Sequence, residues 1–256
     1  MIKKRIIPTL LLQNGKLVKT RNFKIPKYIG DPTNTVKIFN DLGVDELIIQ
    51  DINIDFLKNE NINFKTLQSL ASECFMPLSY GGGIKSLKDA EKIFKIGFEK
   101  IIINTASFLD NSFLSRLIKN FGSQSIIHSI DVKKNLFRKY IIYTNSGKKK
   151  INVSLDQWLH KINEIEVGEV IITSIDREGT WSGFDLDLVS YVSEFMTMPV
   201  IANGGCGSKK HLKKIFNLTN ASAAAVGSMF LYQKQNMGVL INYFDENEIT
   251  EIFNEL

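Results

Sequence analysis

The chain has two cysteines, Cys74 and Cys206. That is too few for a disulfide framework, and they have no metal-ligand spacing. A reduced, cytoplasmic setting is the expectation. The three histidines, His128, His160 and His211, do not stand at ligand spacing either, so no metal and no cofactor are expected. No low-complexity segment or linker interrupts the sequence, and no apolar run approaches the ~20 residues of a membrane helix. The start, Met1-Ile2-Lys3-Lys4-Arg5 followed by apolar residues, has the outline of a secretory signal. Its apolar run is short, meets Pro8 and lacks a small-residue cleavage site before Gln13-Asn14-Gly15, so it reads as a first strand. No Gly-x-Gly-x-x-Gly follows that strand, which removes the main support for a dinucleotide site. Charge is not strongly one-sided: the net value is +5 and the lysines are spread along the chain. That suits phosphorylated small molecules or an acidic partner face, and neither a nucleic acid nor a membrane is expected as partner.

What is present is a regular alternation. Apolar, β-branched runs fall at Arg5–Leu12, Glu46–Asp51, Met76–Tyr80, Lys100–Ile103, Ser125–Asp131, Glu169–Ser174, Pro199–Ala202 and Ala223–Val226. Helical spacing lies between them: Val36, Phe39 and Leu42; Leu87, Ala90, Ile93 and Phe94; Leu155, Trp158, Leu159 and Ile162; Leu212, Ile215 and Phe216. Nearly continuous apolar strands alternating with helices predict an α/β fold with a parallel sheet covered by helices. With 44% hydrophobic residues among 256, one full core is available. Eight units favour a single closed (β/α)8 TIM barrel, residues 1–256 forming one domain, over an open doubly wound sheet.

Two glycine clusters repeat. Ile201-Ala202-Asn203-Gly204-Gly205-Cys206-Gly207 precedes Ala223-Ala224-Ala225-Val226-Gly227-Ser228, and Tyr80-Gly81-Gly82-Gly83-Ile84 precedes Ile101-Ile102-Ile103-Asn104-Thr105. Gly82 to Gly205, Thr105 to Ser228 and Glu46 to Glu169 are all 123 positions apart. The chain therefore reads as two similar halves, about 1–122 and 123–256. Glycine-rich strand ends let backbone N–H groups approach an anion, so each half predicts a phosphate cradle and the pair predicts a ligand phosphorylated at both ends.

Two segments break the rhythm. Both would sit over the C-terminal face of a barrel, as a mobile lid or as solvated surface loops. Residues 13–29 form a long, basic loop with Lys16, Lys19, Arg21, Lys24 and Lys27. Leu136–Tyr143 and Lys149–Val153 read as a hairpin turning at Asn145-Ser146-Gly147. Polar residues at strand ends are the candidates for chemistry: Asp51, Asp131 and Thr173, with Gly179 in the following loop. Asp131 is the candidate general acid or base, while Asp176 is expected to pair locally with Arg177. His128 lies on the strand face opposite Asp131 and is expected to be a packed histidine. At the strand starts, Arg5, Glu46, Lys100 and Glu169 are predicted to converge as a ring of two cations and two carboxylates. Such a ring is either a salt-bridge plug or a polar gate.

Taken together, these motifs resemble the cyclase subunit of imidazole glycerol phosphate synthase, the barrel half of a glutamine amidotransferase. The resemblance covers nearly the whole chain. It runs through Lys4-Arg5-Ile6-Ile7, Gly30-Asp31-Pro32, Asp45-Glu46-Leu47, Gly81-Gly82-Gly83-Ile84, Phe121-Gly122-Ser123-Gln124, Ser146-Gly147-Lys148-Lys149, Thr173-Ser174-Ile175-Asp176-Arg177 and Gly204-Gly205. It implies that ammonia from a glutaminase subunit enters at the barrel floor, with Arg5, Glu46, Lys100 and Glu169 as its gate. A bisphosphorylated substrate waits at the other face. Gly82, Asn104 and Thr105 match one phosphate site, and Gly204, Gly205, Gly227 and Ser228 match the other. Asp51, Gly83, Thr173 and Gly179 complete the expected phosphate- and substrate-binding set. Lys19 matches a lysine of the first loop and Asp131 a catalytic aspartate.

One position departs from the pattern. The family's other catalytic aspartate would stand at Leu11, where the cyclase proper has Cys-Leu-Asp and this chain has Thr9-Leu10-Leu11. Leucine cannot move protons, so ring closure should suffer by orders of magnitude. Ile7-Pro8, Leu10-Leu11-Leu12 and Pro26-Lys27-Tyr28-Ile29-Gly30-Asp31-Pro32 resemble the paralogue that accompanies acetamidino-sugar genes, where the pair is thought to supply ammonia to a third, sugar-amidating protein of surface-polysaccharide synthesis. Two alternatives stay open. One is a working histidine-pathway lyase with a substitute acid. The other is a non-catalytic, bisphosphate-binding activator of the glutaminase.

Overall fold

The computed structural model describes residues 3–53 and 61–253. In chain order, β1 (Arg5–Gln13) runs into a hairpin of β2 (Lys16–Arg21) and β3 (Lys24–Gly30), followed by α1 (Pro32–Asp41) and β4 (Leu47–Asp51). Then come α2 (Phe64–Ala71), β5 (Leu78–Gly81), α3 (Leu87–Ile96) and β6 (Lys100–Ile103). After α4 (Thr105–Leu109) and α5 (Phe113–Phe121) comes β7 (Ile126–Lys134), which folds back through β8 (Tyr140–Thr144) and β9 (Lys149–Ser154). The chain continues with α6 (Leu155–Ile165), β10 (Glu169–Ser174), α7 (Leu186–Phe195), β11 (Val200–Asn203) and α8 (Lys209–Leu218). It ends with β12 (Ala223–Val226), α9 (Ser228–Leu231) and α10 (Glu246–Phe253).

Eight of the strands pair in parallel in the order β1-β4-β5-β6-β7-β10-β11-β12, and β12 returns to β1. The sheet is closed, and the architecture is the (β/α)8 barrel that the alternation predicts. All eight predicted strands are present, with ends displaced by a few residues: Glu46 and Met76 precede their strands, and β7 runs on to Lys134. Among the described residues no helix is long and apolar enough to cross a membrane, and Cys74 and Cys206 are both free.

Strand parity sorts the apolar residues into two cores. Ile7, Ile48, Ile102, Ile127, Ile171 and Ile201 face the axis and pack with Ala223 and Ala225. Their neighbours along the strands, such as Ile6, Ile49, Tyr80, Ile103, Val170 and Val200, face outward under the helices. The helices are placed by local signals. In α3 the Ser86 side chain accepts from Asp89 N, Ala90 and Ile93 turn to the core, and Gly97 ends the helix at φ +119°. Such a cap stabilises by ~1 kcal/mol. In α6 Ser154 and Gln157 form a reciprocal capping box.

The basic segment 13–29 is not an irregular loop. Leu17 and Val18 pair against Leu12 and Leu11, so β1 continues upward into a β2–β3 hairpin whose Leu17–Thr20 are buried. Lysines on both sides of a two-residue apolar core hide the strand alternation in sequence. The second hairpin, β8–β9, is found where the turn Asn145-Ser146-Gly147 predicts it.

His128 faces outward, fully buried. Its Nδ1 lies 2.9 Å from Ile103 O, and Trp158 Nε1 donates to its Nε2 at 2.8 Å. The ring is therefore neutral with its proton on Nδ1, and burial lowers its pKa to about 4. Trp158 also stacks on Phe108 at 4.1 Å between ring centroids. Trp158→Phe should keep the stacking and remove the donor, leaving a buried acceptor unpaired. A loss of about 1–3 kcal/mol is expected, measured by denaturant unfolding. An unchanged midpoint would mean that the bond contributes nothing.

Candidate functional site

At the strand starts the barrel axis is crossed by four charges. Arg5 Nη1 donates to Glu46 Oε2 at 2.7 Å, and Arg5 Nη2 donates to Glu169 Oε2. Lys100 Nζ reaches Glu169 Oε1 at 2.5 Å and Glu46 Oε1 at 3.4 Å. Each carboxylate touches both cations, so the four side chains form a closed ring. Burial alone would push the Glu169 carboxyl up, but the hydrogen bonds and charges of Arg5 and Lys100 outweigh it and hold the group below its ordinary value. Burial opposes the Arg5 charge in the same way, and Glu169 and Glu46 overcome it, raising the guanidinium pKa.

Above the ring lies the isoleucine collar, and above that the inward positions turn polar. Thr9, Ser129, Thr173 and Asn203 stand there, all but Asn203 buried. Thr9 Oγ1 has no hydrogen-bond partner among the described residues. Asn203 Nδ2 donates to Thr173 Oγ1 at 3.1 Å, and Thr173 is in register with Asp131 on the neighbouring strand.

The other end of the barrel opens into two hollows that share Leu11, Phe23 and Gln50. The first collects Asp51, Gly82, Gly83, Asn104, Thr105 and Asp131. Gly82 has φ +126°, and a Cβ there would come within 2.5 Å of Asp51 O, so only glycine fits this turn. Asn104 Nδ2 donates to Asp131 Oδ2 at 2.9 Å. Burial raises Asp131 to about 7 despite the hydrogen bonds of Thr173, Asn104 and Ser129, which act to lower it. A carboxyl near neutrality is suited to proton transfer. Leu11 stands across the barrel, four strands from β7.

The second hollow collects Lys19, Gly179, Gly204, Gly205, Gly227 and Ser228. A Cβ on Gly227 would meet Lys19 Cε at 3.1 Å, so the lysine lies against the turn at Gly227. Lys19 is buried and ion-paired with Glu178 Oε1. Glu178 Oε2 accepts from Thr20 Oγ1 at 3.1 Å and from Phe23 N at 3.2 Å. Asn22 Nδ2 donates to Ile175 O and Asp176 O at 3.0 and 2.8 Å. The β2–β3 hairpin is thus latched across the mouth onto the loop after β10. Gly179 permits the approach: a Cβ there would lie 2.4 Å from Thr20 O.

The candidates chosen from sequence therefore gather in three places: the floor ring and the two hollows. Thr173 differs in lining neither hollow, since it sits behind Asp131 as a hydrogen-bond partner. The local Asp176–Arg177 pair is not formed. Asp176 Oδ2 instead accepts from Lys134 N at 2.8 Å, and Arg177 Nη1 donates to Ser182 Oγ at 3.1 Å. The backbone turn sends the two adjacent side chains apart. Glu178, Phe23 and Gln50 were missed. Glu178 follows Arg177 directly in the motif, but its partners are far away in sequence. Asn203 was visible inside the glycine motif without being singled out.

Residues 5–236 match the model of a family described as histidine biosynthesis protein. A protein of Pseudomonas aeruginosa, provisionally named imidazole glycerol phosphate synthase subunit hisF2, is 44% identical over 97% of this chain and 99% of its own. A Leptospira interrogans protein, provisionally named as the HisF subunit of the same synthase, is 39% identical over 99% and 100%. The imidazole glycerol phosphate synthase subunit HisF of Chlorobaculum tepidum is 35% identical over 98% and 99%.

Asp131 has a consequence for stability. Its folded pKa of about 7 exceeds its ordinary value of 3.8, so the unfolded chain releases the proton first as pH rises. Stability from this group is therefore full below pH 3.8, falls as pH approaches 7, and stays lowered above it. Asp131→Asn should be more stable than the parent at pH 8 by up to about 4 kcal/mol, with the gap closing near pH 4. Denaturant unfolding at both pH values checks this, and a less stable variant at pH 8 would contradict it.

Proposed function

The chain belongs to the family of imidazole glycerol phosphate synthase cyclase subunits, and from that premise we propose that it is the barrel subunit of a glutamine amidotransferase pair that passes ammonia to a sugar-amidating protein. A glutaminase subunit covers the barrel floor and releases ammonia beneath the ring. The pair acts in the cytoplasm, in making an acetamidino sugar for a surface polysaccharide. The observation that carries this is a contrast within one barrel: the ring of Arg5, Glu46, Lys100 and Glu169 is complete, while Leu11 stands where proton transfer would need a second acid.

The ring gives way at its longest ion pair, Lys100 to Glu46 at 3.4 Å. The isoleucine collar above then selects neutral ammonia, because an unpaired ammonium ion in an apolar shaft costs far more than a neutral molecule. Thr9 Oγ1 accepts an N–H from the ammonia as it passes, satisfying an otherwise unpartnered group. At the mouth Asp131 alone cannot both take and give the protons of ring closure. The two hollows hold a bisphosphorylated ligand, with Lys19 at the second. The two-half division near residue 122 belongs to the same proposal. Gly82 and Gly205 both take positive φ at strand ends, and Thr105 and Ser228 both open helices.

A second reading, the family's own ring-closing lyase, is favoured by the retained Asp131 and by both glycine hollows. The two separate cleanly in assays. With added ammonium, imidazole glycerol phosphate formation should be slower than in an aspartate-bearing relative by about 10²–10⁴-fold, and Leu11→Asp should recover part of it. Brisk turnover by the unaltered chain would favour the lyase. In a reconstitution with glutaminase and the sugar-amidating protein, Arg5→Ala should cut glutamine-fed amidation by about tenfold or more and leave ammonium-fed amidation unchanged. Equal loss of both would remove the gate from the mechanism.

A further inference from the structure

The two hairpins rise on opposite sides of the mouth, one from the end of β1 and the other from the end of β7, four strands apart in either direction. The inner side of the first is occupied by the latch of Lys19, Thr20 and Phe23 on Glu178, and in the turn of the second Asn145 N donates to Thr105 Oγ1 at 3.0 Å. Their outer sides carry a different composition. Residues 13–30 and 132–153 contain no aspartate or glutamate, yet they hold twelve of the 32 lysines and arginines. Lys19 and Lys134 are paired, with Glu178 and Asp185. The other ten are exposed, and none forms an ion pair among the described residues.

Four large apolar side chains stand among these charges. Leu136 is 99% exposed, Phe137 83%, Ile25 80% and Tyr28 65%. Apolar and aromatic anchors ringed by charge are the composition of an interface, with the anchors supplying affinity and the charges steering and orienting the partner. Like charges at this density also repel one another, a cost that an oppositely charged surface removes.

We propose that this crown seats an acidic protein surface over the barrel mouth, and that the protein is the ammonia-accepting amidating partner; the inference rests on the ammonia-delivery proposal and adds the docking face. Ammonia released into water at neutral pH becomes ammonium, which has no lone pair for attack. Delivery therefore needs the acceptor's reacting centre sealed against the mouth. An anionic membrane would meet the charge and the apolar tips but offers no reacting centre.

The test uses the purified glutaminase–barrel complex and the amidating protein. Leu136→Ala with Phe137→Ala, and separately Lys148→Glu with Lys149→Glu and Lys150→Glu, alter exposed side chains outside both hollows. Glutaminase turnover checks that each variant is intact. Each variant should weaken association with the amidating protein by about tenfold or more, and added salt should weaken the unaltered pair. Glutamine-fed amidation should fall in parallel, with ammonium-fed amidation unchanged. Unchanged association in both variants overturns the docking proposal even where glutamine-fed amidation persists. Crown-dependent association without any glutamine-fed amidation supports docking and removes ammonia delivery instead. Sedimentation of the complex with phosphatidylglycerol vesicles, lost in both variants while association with the amidating protein is not, would overturn the proposal in favour of a membrane surface.

Discussion

Two carboxylates, each shared between the same two cations, set the character of this barrel at its floor. The ring of Arg5, Glu46, Lys100 and Glu169 is a poor choice if stability is its only task. Desolvation offsets much of the attraction in such a cluster, and well-packed aliphatics of similar volume do as well or better. The barrel uses aliphatics one layer up, where six isoleucines pack around the axis. Two residues of strand, roughly 7 Å, separate the two solutions. They differ in how they open. An ion-pair ring can release one contact and keep the others, whereas a floor sealed with aliphatics instead would open only by leaving a cavity that costs ~24 cal/mol per Å³.

The opposite end is governed by an imbalance. Among the residues lining the first hollow the charged ones are Asp51 and Asp131, and no cation is among them. An anion there would rest on backbone N–H groups and would favour the protonated form of Asp131, already raised to about 7. The second hollow has a cation, Lys19, but Glu178 holds it. An anion arriving at Gly227 and Ser228 would compete with Glu178 for the same ammonium, so its binding and the latch of the hairpin would draw on one charge. Leu11, common to both hollows, adds no charge to either.

The barrel was legible in the sequence because its strands are buried on both faces. Each reads as a short β-branched run, and β6, β10 and β12 begin and end where those runs do. The floor ring was legible for a related reason: Arg5, Lys100 and Glu169 open strands and Glu46 adjoins one, so register converts their positions into a layer. The latch was not legible. Glu178 answers to Lys19, Thr20 and Phe23, contacts that exist only because a strand pair extends above the sheet and crosses the mouth. The hairpin itself was hidden because Leu17 and Val18 are adjacent and flanked by lysines, which gives no alternation to read. Asp176 misled for a simpler reason, since proximity in sequence says little about which way a turn directs neighbouring side chains.

The β2–β3 hairpin joins the two ends of this account. Lys19 and Thr20 of β2 are buried against the barrel, while Lys24 to Tyr28 of β3 remain exposed. One strand therefore latches and its partner displays. Ile25 and Tyr28 are carried by the hairpin that Lys19, Thr20, Asn22 and Phe23 tie to the loop after β10, so a protein bound to the outer strand would favour this closed form over any open one. An anion in the second hollow would act on the same latch from inside. If the second hollow takes an anion and the crown a partner, closure of the mouth, occupancy of the hollow and presentation of the crown would all act on the same latch.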